Sequence, residues 1–174
     1  LDVCSYVGAW GVLAAARGAQ QVVCLDASAS ALAAVQENAE LNGVAASVTC
    51  RRGDAFEVLR EMRAERERFD LVIVDPPAFI KRRKDLREGT LAYRRLNQLA
   101  LQLLSRDAML ITSSCSHHMS SEGLLQLLQR AGRHLDRGLQ LLEQGAQSPD
   151  HPIHPAIPET AYLKAFYLRV LPSF

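Results

Sequence analysis

The chain has 174 residues, 48% hydrophobic and 22% charged, a globular balance that excludes disorder at a length that suits one domain. Lys and Arg number 20 against 19 Asp and Glu, and the resulting +1 argues against a uniformly basic nucleic-acid binder. No run of about 18 apolar residues exists, so no helical membrane span is expected.

Leu1 to Cys4 reads as a strand stub, and so abrupt a start suggests a cut inside a longer protein. Ala9 to Arg17 reads as a helix closed by Gly18. Gln21 to Leu25 is a second strand, and Ser30 to Leu41 a helix ended by Asn42 and Gly43. Ala46 to Arg51 is a third strand, followed by a helix from Ala55 to Arg68 with a charged, solvated face. Asp70 to Val74 is a continuous apolar strand of the kind buried on both faces. Leu91 to Leu104 carries an apolar stripe at helical spacing. Ala108 to Ser113 is a fifth strand, Ser121 to Leu135 a helix, and Leu139 to Glu143 and Ala161 to Val170 the last two strands.

Strand and helix alternate, so the expected fold is α/β: a mostly parallel, Rossmann-like, seven-stranded sheet with helices on both faces. The Pro- and His-rich stretch from Ser148 to Glu159 joins the last two strands without a helix, which makes Ala161 to Val170 the antiparallel one. Residues 1–174 read as a single domain. Cys4, Cys24, Cys50 and Cys115 form no CxxC pair, so they are expected as reduced thiols in a cytoplasmic protein without a zinc site. His117, His118, His151 and His154 lack a complete ligand set at metal spacing and read as surface or supporting residues.

In an open α/β sheet, ligands bind beyond the carboxyl ends of the strands. The first strand runs into Ser5, Tyr6, Gly8 and Gly11, where glycine permits a tight turn and close ligand approach. Asp26 ends the second strand and can accept from a ribose diol; Gly53 and Asp54 end the third, where an oxygen can take an adenine amino group. A dinucleotide fingerprint needs three glycines, and only Gly8 and Gly11 fit. The looser spacing suits S-adenosylmethionine, which has no pyrophosphate to cradle; a plain turn without ligand is the bland alternative.

The fourth strand ends in Asp75-Pro76-Pro77-Ala78-Phe79, a rigid segment whose carboxylate can face a ligand and whose Pro77 or Phe79 can lie against a planar base. The fifth ends in Ser114-Cys115-Ser116-His117-His118, which puts Cys115 at the mouth, next to Asp75 on the adjacent strand. Cys24 and Cys50 lie within strands and read as small buried hydrophobes. Carbon 5 of a pyrimidine is a poor nucleophile. A thiolate added at carbon 6 makes carbon 5 enamine-like, able to take a methyl group from a sulfonium. Methylation at oxygen or nitrogen needs no thiol.

Taken together, Asp2, Gly8, Gly11, Asp26, Gly53-Asp54, Asp75-Pro76-Pro77-Ala78-Phe79 and Ser114-Cys115-Ser116-His117-His118 resemble the class I ribosomal RNA large-subunit cytosine-C5 methyltransferases. His151-Pro152 and Pro158-Glu159-x-x-Tyr162-Leu163-Lys164 resemble the same family. The resemblance implies S-adenosylmethionine as cofactor, S-adenosylhomocysteine as product and ribosomal RNA as partner, with homodimerisation left open. It assigns Asp26 to the ribose, Asp54 to adenine, Gly8 and Gly11 to the methionine pocket, and Asp2, Ser5, Tyr6, Ala27, Asn38, Ala55 and Asp75 to the cofactor side. Cys115 is then the nucleophile, and Asp75 meets the target base near a ring nitrogen. Pro76, Pro77, Phe79, Lys81, Tyr93 and Asn97 fall on the substrate side. Family members normally carry an upstream RNA-binding module. A sister family that methylates guanine shares the Asp-Pro-Pro but lacks the cysteine, so uracil C5, guanine, or a non-catalytic RNA-binding module remain alternatives. Lys81 to Arg95 holds seven basic residues and two acids, a net +5 against −4 elsewhere, and reads as a mobile basic loop flanking the target site.

Overall fold

The computed structural model describes residues 1–172; the last two positions of the expected domain, 173 and 174, lie outside the described residues. In chain order the elements are β1 (Asp2–Val3), α1 (Ala9–Ala16), β2 (Val22–Asp26), α2 (Ala29–Leu41), β3 (Val48–Arg52) and α3 (Ala55–Ala64). They continue with β4 (Phe69–Val74), α4 (Leu86–Leu103), β5 (Leu104–Ser114), α5 (Ser121–His134), β6 (Arg137–Gly145) and β7 (Lys164–Pro172). One seven-stranded sheet results, in the order β3-β2-β1-β4-β5-β7-β6. The strands from β3 to β5 are parallel, and β7 runs antiparallel to both β5 and β6, as expected.

Side-chain alternation explains the layers. Val3, Leu25, Val72, Val74 and Leu110 point to one face, where Leu59, Met62, Leu96, Leu103, Leu124 and Leu128 of α3, α4 and α5 cover them. On the other face Val22, Cys24 and Val48 meet Val12, Ala15, Leu32 and Val35 of α1 and α2. Helix starts are capped where the sequence offers an oxygen. Ser28 Oγ accepts from Ala31 N, Asp54 Oδ1 from Phe56 N and Glu57 N, and Ser120 Oγ from Gly123 N, each cap contributing about 1 kcal/mol.

Some boundaries differ from the sequence reading. Helix α4 begins at Leu86, not Leu91, so the expected basic loop is largely helical. Its first turns are charged and lack an apolar stripe; they are anchored by Gly89, where a Cβ would lie 2.7 Å from the Phe79 carbonyl. Helix α3 stops at Ala64, not Arg68, because Arg66 turns left-handed at φ 62°. Strand β5 starts at Leu104 through a bulge, with Phe69 paired to Leu104 but Leu71 to Met109. The Arg137 guanidinium donates to the Leu104 and Ser105 carbonyls at 3.3 and 2.6 Å and holds that bulge.

The topology places the site. From β1 the chain steps outward through β2 and β3, and from β4 it steps the opposite way. The crevice at this switch point opens beyond Val3 and Val74, which lie in neighbouring strands.

Candidate active site

The loop from β1 to α1 is the first wall. Cys4, Tyr6 and Gly8 are left-handed, at φ 63°, 49° and 81°. For Cys4 and Tyr6 this costs about 1 kcal/mol or more each, and such strain persists only where surrounding bonds over-determine it. Here Ser5 N donates to the Leu25 carbonyl at 3.0 Å and Tyr6 N to Asp26 Oδ2 at 2.9 Å. Asn38 Nδ2 donates to the Val7 carbonyl at 2.9 Å. The pinned loop leaves Ser5 Oγ buried without a hydrogen-bond partner.

A cavity of about 570 Å³ fills the crevice, a size ordinary for a small-molecule site. Ser5, Tyr6, Asp26, Ala27, Gly53, Asp54, Ala55 and Asp75 line it, together with Pro76, Pro77 and Phe79. Trp10 and Phe56, in the first turns of α1 and α3, and Leu96 of α4 line it as well; the sequence reading looked for polar strand-end groups and so passed over them. The polar groups sit on the ends of four neighbouring strands. Asp26 Oδ1 accepts from Ser28 N at 2.9 Å, so each of its oxygens holds one backbone N–H and keeps capacity for another donor. Asp54 gives only Oδ1 to the α3 cap.

Four residues expected at the cofactor are absent from the cavity lining. Asp2 lies beneath α1, 1% exposed, and its Oδ2 accepts from Gly11 N at 2.9 Å. Burial pushes its carboxyl up to about 6, although the Gly11 N–H pulls the other way. Gly11 is small for packing, not for ligand approach: a Cβ there would stand 2.5 Å from Cys24 Sγ. Gly8 and Asn38 lie where the start of α1 meets α2, Gly8 supplying the left-handed turn and Asn38 the Val7 bond.

The second wall is the β4–β5 pair. Val74 pairs with Thr112, so the neighbour of Asp75 is Ser113, and Cys115 stands two residues further on. This corrects the expectation that Cys115 sits beside Asp75. The Ser113 hydroxyl donates to Asp75 Oδ1, and Trp10 Nε1 donates to Oδ2 at 3.2 Å, so both carboxylate oxygens are held.

Cys115 is half-buried and does not line the cavity, but the segment carrying it is fixed from several sides. Ser116 Oγ accepts from Ile80 N at 3.1 Å and bonds the Tyr93 hydroxyl at 2.9 Å. Lys164 Nζ, nearly buried, donates to the Ser116 and Tyr162 carbonyls at 2.7 Å each. Burial pushes the Lys164 ammonium down, while the nearby Cys115 acts in the opposite direction. Tyr93 and Asn97, expected on the substrate side, are fully buried. Tyr93 packs on Phe79 at 4.8 Å between ring centroids, and Asn97 Nδ2 donates to the Tyr93 carbonyl at 2.9 Å. Both therefore position Phe79 and the Cys115 segment and do not face a ligand. Lys81 is exposed, outside the cavity. Among the described residues no group of three or more His, Cys, Asp or Glu could hold a metal ion, and no helix is long and apolar enough to cross a membrane.

A family model described as Conserved hypothetical protein 95 matches residues 1–134. The ribosomal RNA large subunit methyltransferase I of Erwinia tasmaniensis is 38% identical over 172 residues, 98% of this chain and 43% of its own length. The protein of the same name from Yersinia pestis bv. Antiqua (strain Angola) is 39% identical over the same shares. The chain thus spans less than half the length of these relatives. Among solved structures, SMU.776, described as a candidate methyltransferase complexed with SAH, superposes with a TM-score of 0.84 at 22% identity. That match covers 97% of this chain and 44% of the other, and it shows a shared fold.

Proposed function

The chain belongs to the Conserved hypothetical protein 95 family, and from that premise we propose that it is the catalytic domain of an S-adenosylmethionine-dependent methyltransferase acting on large-subunit ribosomal RNA. The observation that carries the reading is the cavity at the switch point, with Asp26, Asp54 and Asp75 on separate strand ends around it. The names of the curated relatives support ribosomal RNA as substrate.

The residues fit the cofactor. Ser5 Oγ, buried and unpartnered, offers a hydrogen bond to the amino-acid end. Asp26 keeps acceptor capacity for ribose hydroxyls, and Asp54 Oδ2 is outside the α3 cap and open to an adenine amino group. Bound there, S-adenosylmethionine supplies an electrophilic methyl group on a sulfonium.

The finer reading is methylation at cytosine C5. Cys115 Sγ adds as thiolate to C6 of the ring, and the electron pair displaced from the C5–C6 double bond makes C5 nucleophilic. After C5 has taken the methyl group, a base removes the C5 proton, the double bond re-forms and the thiolate leaves. Asp75, gripped by Ser113 and Trp10, holds the ring from its nitrogen edge. Pro76 and Pro77 carry no N–H, so the strand end presents only carbonyls and stays rigid.

One observation favours a second reading. Cys115 does not line the cavity, and a guanine nitrogen would need no thiol. The test is the full-length protein with labelled S-adenosylmethionine and deproteinised large-subunit ribosomal RNA, followed by mass spectrometry of the nucleosides. Label in 5-methylcytidine is expected; label in guanosine overturns the cytosine assignment, and no transfer overturns the methyltransferase reading. Calorimetry with S-adenosylhomocysteine adds a direct check, since Asp26→Ala should weaken binding by about tenfold or more through loss of hydrogen bonds to a charged group.

A further inference from the structure

A second concavity, of about 790 Å³, lies between the start of α4 and the start of α5. Arg83, Lys84, Arg87 and Arg94 form one wall, Arg130 and His118 the other, and no carboxylate is among the lining residues. The four arginines and the lysine are exposed, and no ion pair among the described residues involves any of them. By contrast Arg51, Arg82 and Arg169 are each paired with a carboxylate. Five such charges outnumber the nearby carboxylates Asp85, Glu88 and Glu122, none of which lines the groove, and the excess raises a positive potential that favours an anionic chain. The first turns of α4 and α5 open into the same groove through Arg87 and Gly123, and their dipoles add to that potential. The groove also reaches Met119, at the end of the segment that begins with Cys115.

We propose that this groove binds the phosphodiester backbone of single-stranded RNA leading away from the target nucleotide. The proposal rests on the RNA methyltransferase reading and adds the path of its substrate. The basic stretch is one wall of a built groove, and Arg130 completes it from a helix far along the chain.

The test uses the full-length protein and a fluorescein-labelled single-stranded RNA of about 20 nucleotides, with binding followed by anisotropy as salt is varied. The variant Arg87→Ala/Arg94→Ala/Arg130→Ala should flatten the slope of log K against log salt by about 2, at roughly 0.7 for each phosphate no longer neutralised. At about 0.1 M salt that is on the order of a 100-fold weaker affinity, with the curves converging toward 1 M. The matching Lys variant should keep most of the affinity, because a point charge still meets phosphate. S-adenosylhomocysteine binding should stay at the wild-type value in both, which shows that the fold is kept. Unchanged RNA affinity and slope in the Ala variant would overturn the proposal, as would a loss confined to anionic phosphatidylserine vesicles. RNA binding that shows the expected loss in a protein transferring no methyl group would support the groove and count against the methyltransferase reading instead.

Discussion

The Ser113 hydroxyl, on β5, donates to Oδ1 of Asp75 at the end of β4. With Trp10 Nε1 on Oδ2, the carboxylate is fixed by two donors from opposite sides of the crevice. A hydrogen bond to a charged group contributes about 1.5–3 kcal/mol. Ser113→Ala should therefore lower turnover roughly 10- to 100-fold, while the affinity for S-adenosylhomocysteine changes by less than about threefold. Steady-state kinetics and calorimetry on the same preparation check this. An equal loss in both would place Asp75 on the cofactor alone.

Gly11 makes a packing prediction. Its Cβ would meet Cys24 Sγ at 2.5 Å, inside the closest real contacts. Gly11→Ala should cost about 1–3 kcal/mol by overpacking, lowering the thermal midpoint by several degrees. The double variant Gly11→Ala/Cys24→Ala removes the clashing sulfur and should recover part of that loss. No recovery would mean that the glycine is needed for another reason.

Asp2 makes a pH prediction. Burial holds its carboxyl at about 6, above its ordinary value of 3.8. A raised carboxyl favours the folded state when protonated. Its contribution is whole below the unfolded value and is lost as pH rises through about 6. The full window corresponds to about 3 kcal/mol at most. Asp2→Asn should thus gain urea resistance relative to wild type, the difference growing between about pH 4 and pH 6 and staying constant above that. A difference independent of pH would contradict the assignment.

The sheet is legible because its strands are short apolar runs separated by amphipathic helices, and Asp26 and Asp75 stand where those runs stop. Directions at the strand ends are not. Asp2 and Val3 are neighbours, yet alternation sends Val3 to the α3–α5 side and Asp2 beneath α1, and only the register with Cys24 and Leu25 reveals which. The pairing of Ser113 with Asp75 likewise depends on a register set by the bulge after Phe69, which carries no sequence signal. Tyr93 and Asn97 fall in a segment that resembles one near the family's target pocket, but α4 turns both into the core, where Ser116 and a backbone bond occupy them. The start of α4 is hidden because helical periodicity is judged from apolar residues, and Lys81 to Arg87 offers almost none.

Cysteine chemistry gives an independent check. Burial pushes both Cys4 and Cys24 up to about 12, so at pH 8 neither should be alkylated in the folded protein. Cys115 is half-buried, at the end of a strand and near the Lys164 ammonium. Brief iodoacetamide treatment followed by peptide mapping should find carbamidomethyl on Cys115 ahead of Cys4 and Cys24. Cys4 is half-buried like Cys115 and lines the cavity, so modification of Cys4 first would contradict its raised thiol.

The catalysis proposed for this domain is covalent, through Cys115. Ribosomal RNA containing 5-fluorocytidine has no C5 proton for a base to remove, so an adduct formed at C6 cannot resolve after methyl transfer. With S-adenosylmethionine, the wild-type full-length protein should accumulate a denaturation-resistant protein–RNA complex whose cross-linked peptide contains Cys115. Cys115→Ala should form none and should methylate ordinary RNA at a rate lower by several orders of magnitude. Methylation by Cys115→Ala at the wild-type rate would contradict the account.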